Sequence, residues 1–124
     1  KRNAKTKPEN VVATILDDLG IQHKRNVQIG RYNVDFLIGD ELIIECYGDF
    51  WHCNPAIYDH DFVQRSLHIT AAEKWRRDGQ RQEHLQRQGF RFEIIWENET
   101  RHSTELLRER IQRLMNYLEL PKGD

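Results

Sequence analysis

The feature that most constrains this chain is a pair of apolar runs that each carry one carboxylate. Residues 34–38 and 42–47 flank residues 39–41 and indicate a β-hairpin. Successive residues of a strand face opposite sides of a sheet, so a three-residue turn places Asp35 across from Glu45 on one face. A two-residue turn in the same segment would shift the register by one residue and separate the two carboxylates.

A carboxylate within such apolar strands needs a partner, because burial of a charge without one is costly. Two carboxylates that face each other repel, and a divalent cation between them removes the conflict. Hard oxygen ligands of this kind suit Mg²⁺ or Mn²⁺. The hairpin therefore predicts a metal site at Asp35 and Glu45, with a purely structural pairing of the two as the alternative.

The segment after the second strand carries a histidine and two aromatic residues. Gly48 ends the strand, and His52 follows just beyond the carboxylate pair. An imidazole exchanges its proton near neutral pH, so His52 is a candidate to activate a water or to protonate a leaving oxygen, unless it is merely exposed or structural. Phe50 and Trp51 are either core residues or a wedge that stacks on DNA bases.

Charge is distributed unevenly, although the net charge is only −1. Residues 40–61 hold six carboxylates and no Lys or Arg, whereas residues 74–91 hold six basic residues against two acidic ones. An acidic centre flanked by bases suits a metal-using phosphodiesterase, and a salt-bridged surface is the alternative. Asp78 is expected to turn inward and orient His52. The neighbouring bases are either a solvated face or DNA contacts: Lys74, Arg76, Arg77 and Arg81.

The periodicity predicts one α/β domain with the element order αβββαβα and a mixed sheet of about four strands flanked by helices. Thr6 and Glu9 are expected to form a capping box at the first helix. The elements are, in chain order, a helix ending at Gly20, strands at 27–32, 34–38 and 42–47, a helix at 71–88, a strand at 90–96, and a helix beginning at Ser103 or Thr104. The last helix is expected to bury an apolar stripe: Leu106, Leu107, Ile111, Leu114, Met115 and Leu118.

The 124 residues fit a single domain covering 1–124. No stretch approaches the roughly 20 apolar residues of a membrane span. Two cysteines are too few for a disulfide framework, which favours a reducing, intracellular setting. Because the first residue is Lys1 and not Met, we expect the domain to be part of a longer chain.

These residues resemble the Asp…Glu-x-Lys core of restriction-endonuclease-like nucleases, with Tyr47 where the lysine usually stands. The chain is similar to the very short patch repair endonucleases in Val34-Asp35-Phe36, Gly48-x-Phe50-Trp51-His52, Arg77-Asp78 and Gly89-Phe90-Arg91. It is closer still to the nuclease domains of phage intron-encoded homing endonucleases with an EDxHD motif. The residues that match this motif are Glu9, Asp35, His52 and Asp78, with x near Cys46. The resemblance spans roughly residues 6–98.

The resemblance implies a restriction-endonuclease-like fold that hydrolyses double-stranded DNA with Mg²⁺ or Mn²⁺, in a cytoplasmic protein of prokaryotic or phage origin. Asp35 would bind the metal, helped by the carbonyl of Cys46. His52 would act as the general base, and Asp78 would orient it. Glu9 would support the site from the first helix, beyond any role as a cap.

The chain departs from the repair enzymes in two respects. Those enzymes carry a structural zinc, and the positions that match its ligands are occupied here by Asp49, Asn54, Ala56 and Asn98. None of these is a Cys or His, so we expect no structural zinc in this chain. They also lack a Glu at the position of Glu45. Homing-type cleavage is therefore favoured over mismatch repair or strand nicking.

A DNA-binding module that keeps the fold without catalysis is the alternative of another class. A domain with a net charge of −1 should hold DNA weakly by charge alone, so we expect much of the sequence recognition to lie before Lys1. The sequence leaves open the target sequence, single- versus double-strand cleavage, and the oligomeric state.

Overall fold

The computed structural model describes residues 7–119, which build a mixed sheet with helices on both faces. The elements are α1 (Pro8–Asp18), β1 (Lys24–Ile29), β2 (Tyr32–Ile38), β3 (Leu42–Tyr47), β4 (Val63–Gln64), β5 (Ile69–Thr70), α2 (Ala71–Arg87), β6 (Arg91–Trp96), α3 (Glu97–His102) and α4 (Thr104–Glu119). The sheet has the order β1-β2-β3-β6, with β6 parallel to β3 and the other pairs antiparallel. The predicted fold class and element order are confirmed, while the β4–β5 ribbon and α3 were not predicted.

Two apolar clusters fix the layers of the fold. Leu42 and Ile44 of β3 point into a cluster with α1 and α4, whereas Ile43 between them packs with Leu85 of α2. Strand alternation thus assigns α1 and α4 to one face of the sheet and α2 to the other. Within residues 7–119, no helix is both long and apolar enough to cross a membrane.

The two ends of α1 differ in how they are capped. The N-cap is Lys7, whose side chain makes no capping hydrogen bond, and Pro8 follows as the first helical residue. The predicted capping box is therefore wrong in register, because Glu9 lies one position too early to close it; Thr6 itself lies outside the described residues. Gly20 at φ +69° ends the helix as predicted, since the amides of Gly20 and Ile21 bond back to helical carbonyls.

The hairpin between β2 and β3 has the three-residue turn. Its ladder pairs Ile38 with Leu42 and Phe36 with Ile44, and the pairing ends at the residues next to Asp35 and Glu45. The strand before this hairpin differs from its predicted bounds of 27–32: β1 begins at Lys24 and ends at Ile29. The reason is a two-residue turn that starts at Gly30, whose φ of +59° suits such a turn.

The last helix is capped by Ser103, whose hydroxyl accepts from the amide of Leu106. The predicted apolar stripe is correct for Leu107, Ile111 and Met115, which are buried. Leu106 was wrongly included, because it lies in the first turn of α4 and is 66% exposed.

Candidate active site

A cavity of about 300 Å³ lies where β2, β3 and α2 meet the loop after β3. All eight residues that line it have ionisable side chains: Asp35, Glu45, Cys46, Tyr47, His52, Lys74, Asp78 and Arg81. Carboxylates, bases and a histidine in one small pocket are typical of a site that performs chemistry.

A larger cavity of about 1120 Å³ lies between the end of α1, the β2–β3 turn and α4. Its charged groups include the pair of Lys24 with Asp40 at 3.9 Å, and these two side chains are 73% and 82% exposed. Exposed pairs of this kind offer no set of converging reactive groups. We therefore assign the chemistry to the smaller cavity.

Asp35 occupies an irregular step of the sheet. The β1–β2 ladder pairs Arg25 with Phe36 and Val27 with Val34, so Asn26 and Asp35 stand between two paired steps. Asn26 has a φ of +53°, and the regular alternation assumed from the sequence is interrupted here: Val34 packs on the α2 side, opposite to Phe36. This irregular step of β2 therefore lies at the cavity, because Asp35 is one of the residues that line it.

The environment of the Asp35 carboxylate raises its pKa above the ordinary value. Burial is the main cause of the rise, and the negative charge of Glu9 adds to it. Three groups act in the opposite direction and lower this pKa: the Cys46 amide, which donates to Oδ2 at 2.8 Å, and the charges of Arg81 and His52. Glu9 of α1 thus adds negative charge near Asp35, and a further role for it in the site stays a prediction. The observed contact of Cys46 is its amide, and a role for its carbonyl stays a prediction.

Glu45 follows in β3, is 4% exposed, and forms an ion pair with Arg81. A second guanidinium nitrogen of Arg81 donates to the carbonyl of Asn33 at 2.7 Å. Burial lowers the pKa of Arg81, and the charge of Asp35 opposes this effect. Arg81 was predicted to contact DNA; its side chain instead lies in the pocket with the carboxylates.

His52 is held from two sides. Its Nδ1 lies 2.8 Å from Oδ2 of Asp78, and its ring stacks on Tyr47 with centroids 3.8 Å apart and an interplanar angle of 9°. Oδ1 of Asp78 accepts from Nζ of Lys74 at 2.8 Å. Burial acts to raise the pKa of Asp78, but the hydrogen bonds from His52 and Lys74 outweigh it and hold this pKa below the ordinary value. With Nδ1–H directed at a carboxylate, Nε2 is the ring nitrogen that can exchange a proton with a ligand.

Hydrogen bonds shape the loop that carries His52. The amide of Asn54 donates to the carbonyl of Asp49 at 2.8 Å, and its side chain donates to Oδ1 of Asp49 at 2.9 Å and accepts from the amide of Ala56 at 3.0 Å. The Trp75 indole donates to the carbonyl of Cys53 at 2.6 Å and ties the loop to α2. Three positions matched to zinc ligands in the repair enzymes thus form a hydrogen-bonded cluster in this chain.

Of the other residues predicted to contact DNA, all but Lys74 lie on the surface. Phe50 is 40% and Trp51 is 54% exposed, so the interpretation of these two as core residues is wrong. Arg76 and Arg77 are each 56% exposed and lie beside Glu73 of their own helix. Lys74 and Arg81 therefore belong to the pocket, while Arg76 and Arg77 belong to the outer surface.

The sequence interpretation did not assign Lys74 and Arg81 to the pocket, although a signal was present. Lys74, Asp78 and Arg81 are spaced by four and then three residues, which sets them on one face of a helix. Tyr47, considered only as a replaced lysine, is the platform under the His52 ring. Its hydroxyl is buried without a hydrogen-bond partner among the described residues, and burial raises its pKa.

Asp35 and Glu45 are the carboxylates of the pocket that could bind a divalent ion. Within residues 7–119, no cluster of three or more His, Cys, Asp or Glu side chains is arranged to hold a metal. Mg²⁺, however, is commonly held by one or two carboxylates, with waters and substrate phosphates as its remaining ligands. Asp35 and Glu45 line one cavity and fit this mode, with the difference that Glu45 already contacts the guanidinium of Arg81.

No protein-family model matches this chain, and a search of curated proteins finds no match. Among solved structures, the catalytic domain of the homing endonuclease I-Bth0305I is similar, with a TM-score of 0.64 and 22% identity. The likeness covers 90% of this chain and 95% of that domain. A match over nearly the full length of both chains shows that this chain has the restriction-endonuclease-like fold of that catalytic domain.

Proposed function

We propose that this chain is the catalytic domain of a DNA endonuclease that hydrolyses phosphodiester bonds with Mg²⁺ or Mn²⁺, in the manner of a homing endonuclease. The observation that carries the proposal is the pocket in which a carboxylate pair, Asp35 and Glu45, meets a histidine oriented by Asp78. The fold shared with a homing endonuclease catalytic domain supports the same reaction class.

His52 has the geometry of a general base. Its Nε2 would take a proton from the attacking water, and the imidazolium so formed would be stabilised by Asp78 at 2.8 Å. Lys74 would keep Asp78 ionised and correctly placed, because it donates to the other oxygen of the same carboxylate. The stack on Tyr47 limits rotation of the imidazole, so the base keeps one orientation.

Asp35 would hold the divalent ion, with the carbonyl of Cys46 as a proposed further ligand. When bound, such an ion supplies positive charge to the phosphoryl oxygens as the transition state develops. Glu9 would add negative charge from α1, which favours a cation beside Asp35. We propose double-stranded DNA as the partner, with Arg76 and Arg77 close to its phosphates.

The exposed Phe50 and Trp51 belong to the same loop as His52. Aromatic side chains at such a position can insert between base pairs or stack on an unpaired base. In this proposal they would fix the position of the DNA relative to the base at His52.

The test is cleavage of a supercoiled plasmid with Mg²⁺ and with EDTA, followed by gel analysis of nicked and linear products. We expect cleavage with Mg²⁺, no cleavage with EDTA, and a strong loss in Asp35→Asn and His52→Ala. His102→Ala is the matched control, since His102 is exposed and lies outside the pocket. Nicked circles alone would indicate the strand-nicking alternative. DNA binding without any product would contradict the proposal and indicate a non-catalytic module.

A further inference from the structure

Arg81 stands apart from the other exposed arginines of its helix. Arg76 and Arg87 pair with glutamates three or four residues away in α2, and their side chains are 56% and 77% exposed. Arg81 is 23% exposed and reaches across to the sheet. It is therefore part of the pocket wall and not of the solvated helix face.

Three contacts hold the Arg81 guanidinium in place. One nitrogen pairs with Glu45 of β3, and another donates to the carbonyl of Asn33 of β2 at 2.7 Å. The guanidinium carbon lies 5.2 Å from the centre of the Tyr32 ring. A side chain fixed from two strands is pre-organised, and release of any one contact leaves the other two.

Glu45 needs this cation. Its carboxylate is 4% exposed within an apolar strand, and a carboxylate buried at this depth without a partner would be strongly disfavoured. The guanidinium supplies the positive charge that offsets the buried Glu45 carboxylate. Asp35 lines the same cavity, and its Oδ2 accepts from the Cys46 amide.

We propose that the Arg81 guanidinium neutralises Glu45 and so prevents this carboxylate from binding a metal ion. Asp35 is then the carboxylate that binds a single divalent ion. The inference rests on the proposed function, since it assumes a divalent ion at Asp35. It adds that Glu45, although it lines the same cavity as Asp35, serves to anchor Arg81 and not to bind the metal. Arg81 is thus a positioning residue that sets the number of ions.

The experiment measures Mn²⁺ binding without DNA, by calorimetry and by electron paramagnetic resonance of free Mn²⁺. We expect one ion per chain in the unaltered protein. Asp35→Asn should weaken binding by about 10-fold or more, whereas Glu45→Gln should change it by less than about twofold. A loss of about 10-fold or more in Glu45→Gln would make Glu45 a ligand and overturn the proposal.

Removal of the guanidinium gives the converse result. Arg81→Met should bind Mn²⁺ about 10-fold more tightly or take a second ion, because Glu45 then lacks its partner. Its thermal midpoint should be low in EDTA and should rise more with Mn²⁺ than that of the unaltered protein. The double variant Arg81→Met/Glu45→Gln should lose both gains. Arg87→Met, at an exposed arginine of the same helix, is the control.

Two further results would overturn the inference independently of the nuclease assay. Unchanged Mn²⁺ binding in Arg81→Met is one, and no Mn²⁺ binding that depends on Asp35 is the other. If Arg81→Met does not fold, the Glu45→Gln measurement decides alone, because that variant keeps Arg81 and its other two contacts. A protein that binds Mn²⁺ as expected but cleaves no DNA would disprove the proposed function and leave this inference standing.

Discussion

The hydrogen bond between Asp78 and His52 is open to a direct test, because an amide can replace the carboxylate with little change of shape. The bond is 2.8 Å long, and the Asp78 side chain is only 15% exposed. Hydrogen bonds to charged groups contribute about 1.5–3 kcal/mol, which corresponds to about 10- to 150-fold in rate. Asp78→Asn is therefore expected to lower the single-turnover rate of plasmid nicking by about that factor.

The effect should act through His52. Because a positioned base contributes about 10²- to 10⁴-fold, His52→Ala should lower the rate by that amount. The double variant should then be no slower than His52→Ala alone, since an absent imidazole cannot be oriented. Asp61→Asn, an exposed carboxylate, is the control. A rate in Asp78→Asn within about twofold of the unaltered protein, or losses that multiply in the double variant, would refute the reasoning.

Four further outcomes are expected. Asn54→Ala should lower the free energy of unfolding by about 2 kcal/mol in urea, because a 4% exposed side chain loses two hydrogen bonds; a change below about 0.5 kcal/mol would contradict this. The fold holds the pKa of Asp78 low, so the unaltered protein should be more stable than Asp78→Asn at any pH above the unfolded pKa of about 3.9. This stability difference should be lost as pH falls through the lower pKa of the folded state, and thermal melting at a series of pH values measures it. Glu9→Gln should lower the pKa of Asp35, measured by NMR titration, because the negative charge of Glu9 helps to raise it. Arg77→Ala should reduce the salt dependence of DNA binding by about one unit of slope if it touches one phosphate; an unchanged slope would place Arg77 away from the DNA.

The register of the central hairpin could be predicted because it depends on local pattern alone. Gly39 and Asp40 adopt φ values of +60° and +54°, which suit these residue types, and the three-residue turn then fixes every pairing that follows. The side of the sheet that Val34 faces could not be predicted in the same way. It depends on the step at Asn26 and Asp35, and strict alternation gives no sign of such an irregular step.

The contacts of the site likewise include one that the sequence predicts and one that depends on tertiary packing. The pairing of Asp78 with His52 could be inferred because few roles suit a carboxylate in a basic helix near a loop histidine. The pairing of Arg81 with Glu45 joins a helix to a strand, and charge counts treat Arg81 and Arg77 as equivalent. The spacing of Arg81 from Asp78 is the one sequence signal that separates the two arginines, and the packing of α2 on the sheet shows that Arg81 points inward.

The net charge of the pocket depends on the fact that Arg81, and not Arg77, points into it. The sequence shows an acidic segment followed by a basic one, but in the fold the two segments meet. Asp35, Glu45 and Asp78 contribute three negative charges, and Lys74 and Arg81 contribute two positive charges, so with a neutral His52 the lining carries −1. One divalent ion would bring this to +1, and one phosphodiester would then balance it. A second ion would leave the same pocket strongly positive, and Glu45, the other carboxylate that could help to hold it, is already paired with Arg81.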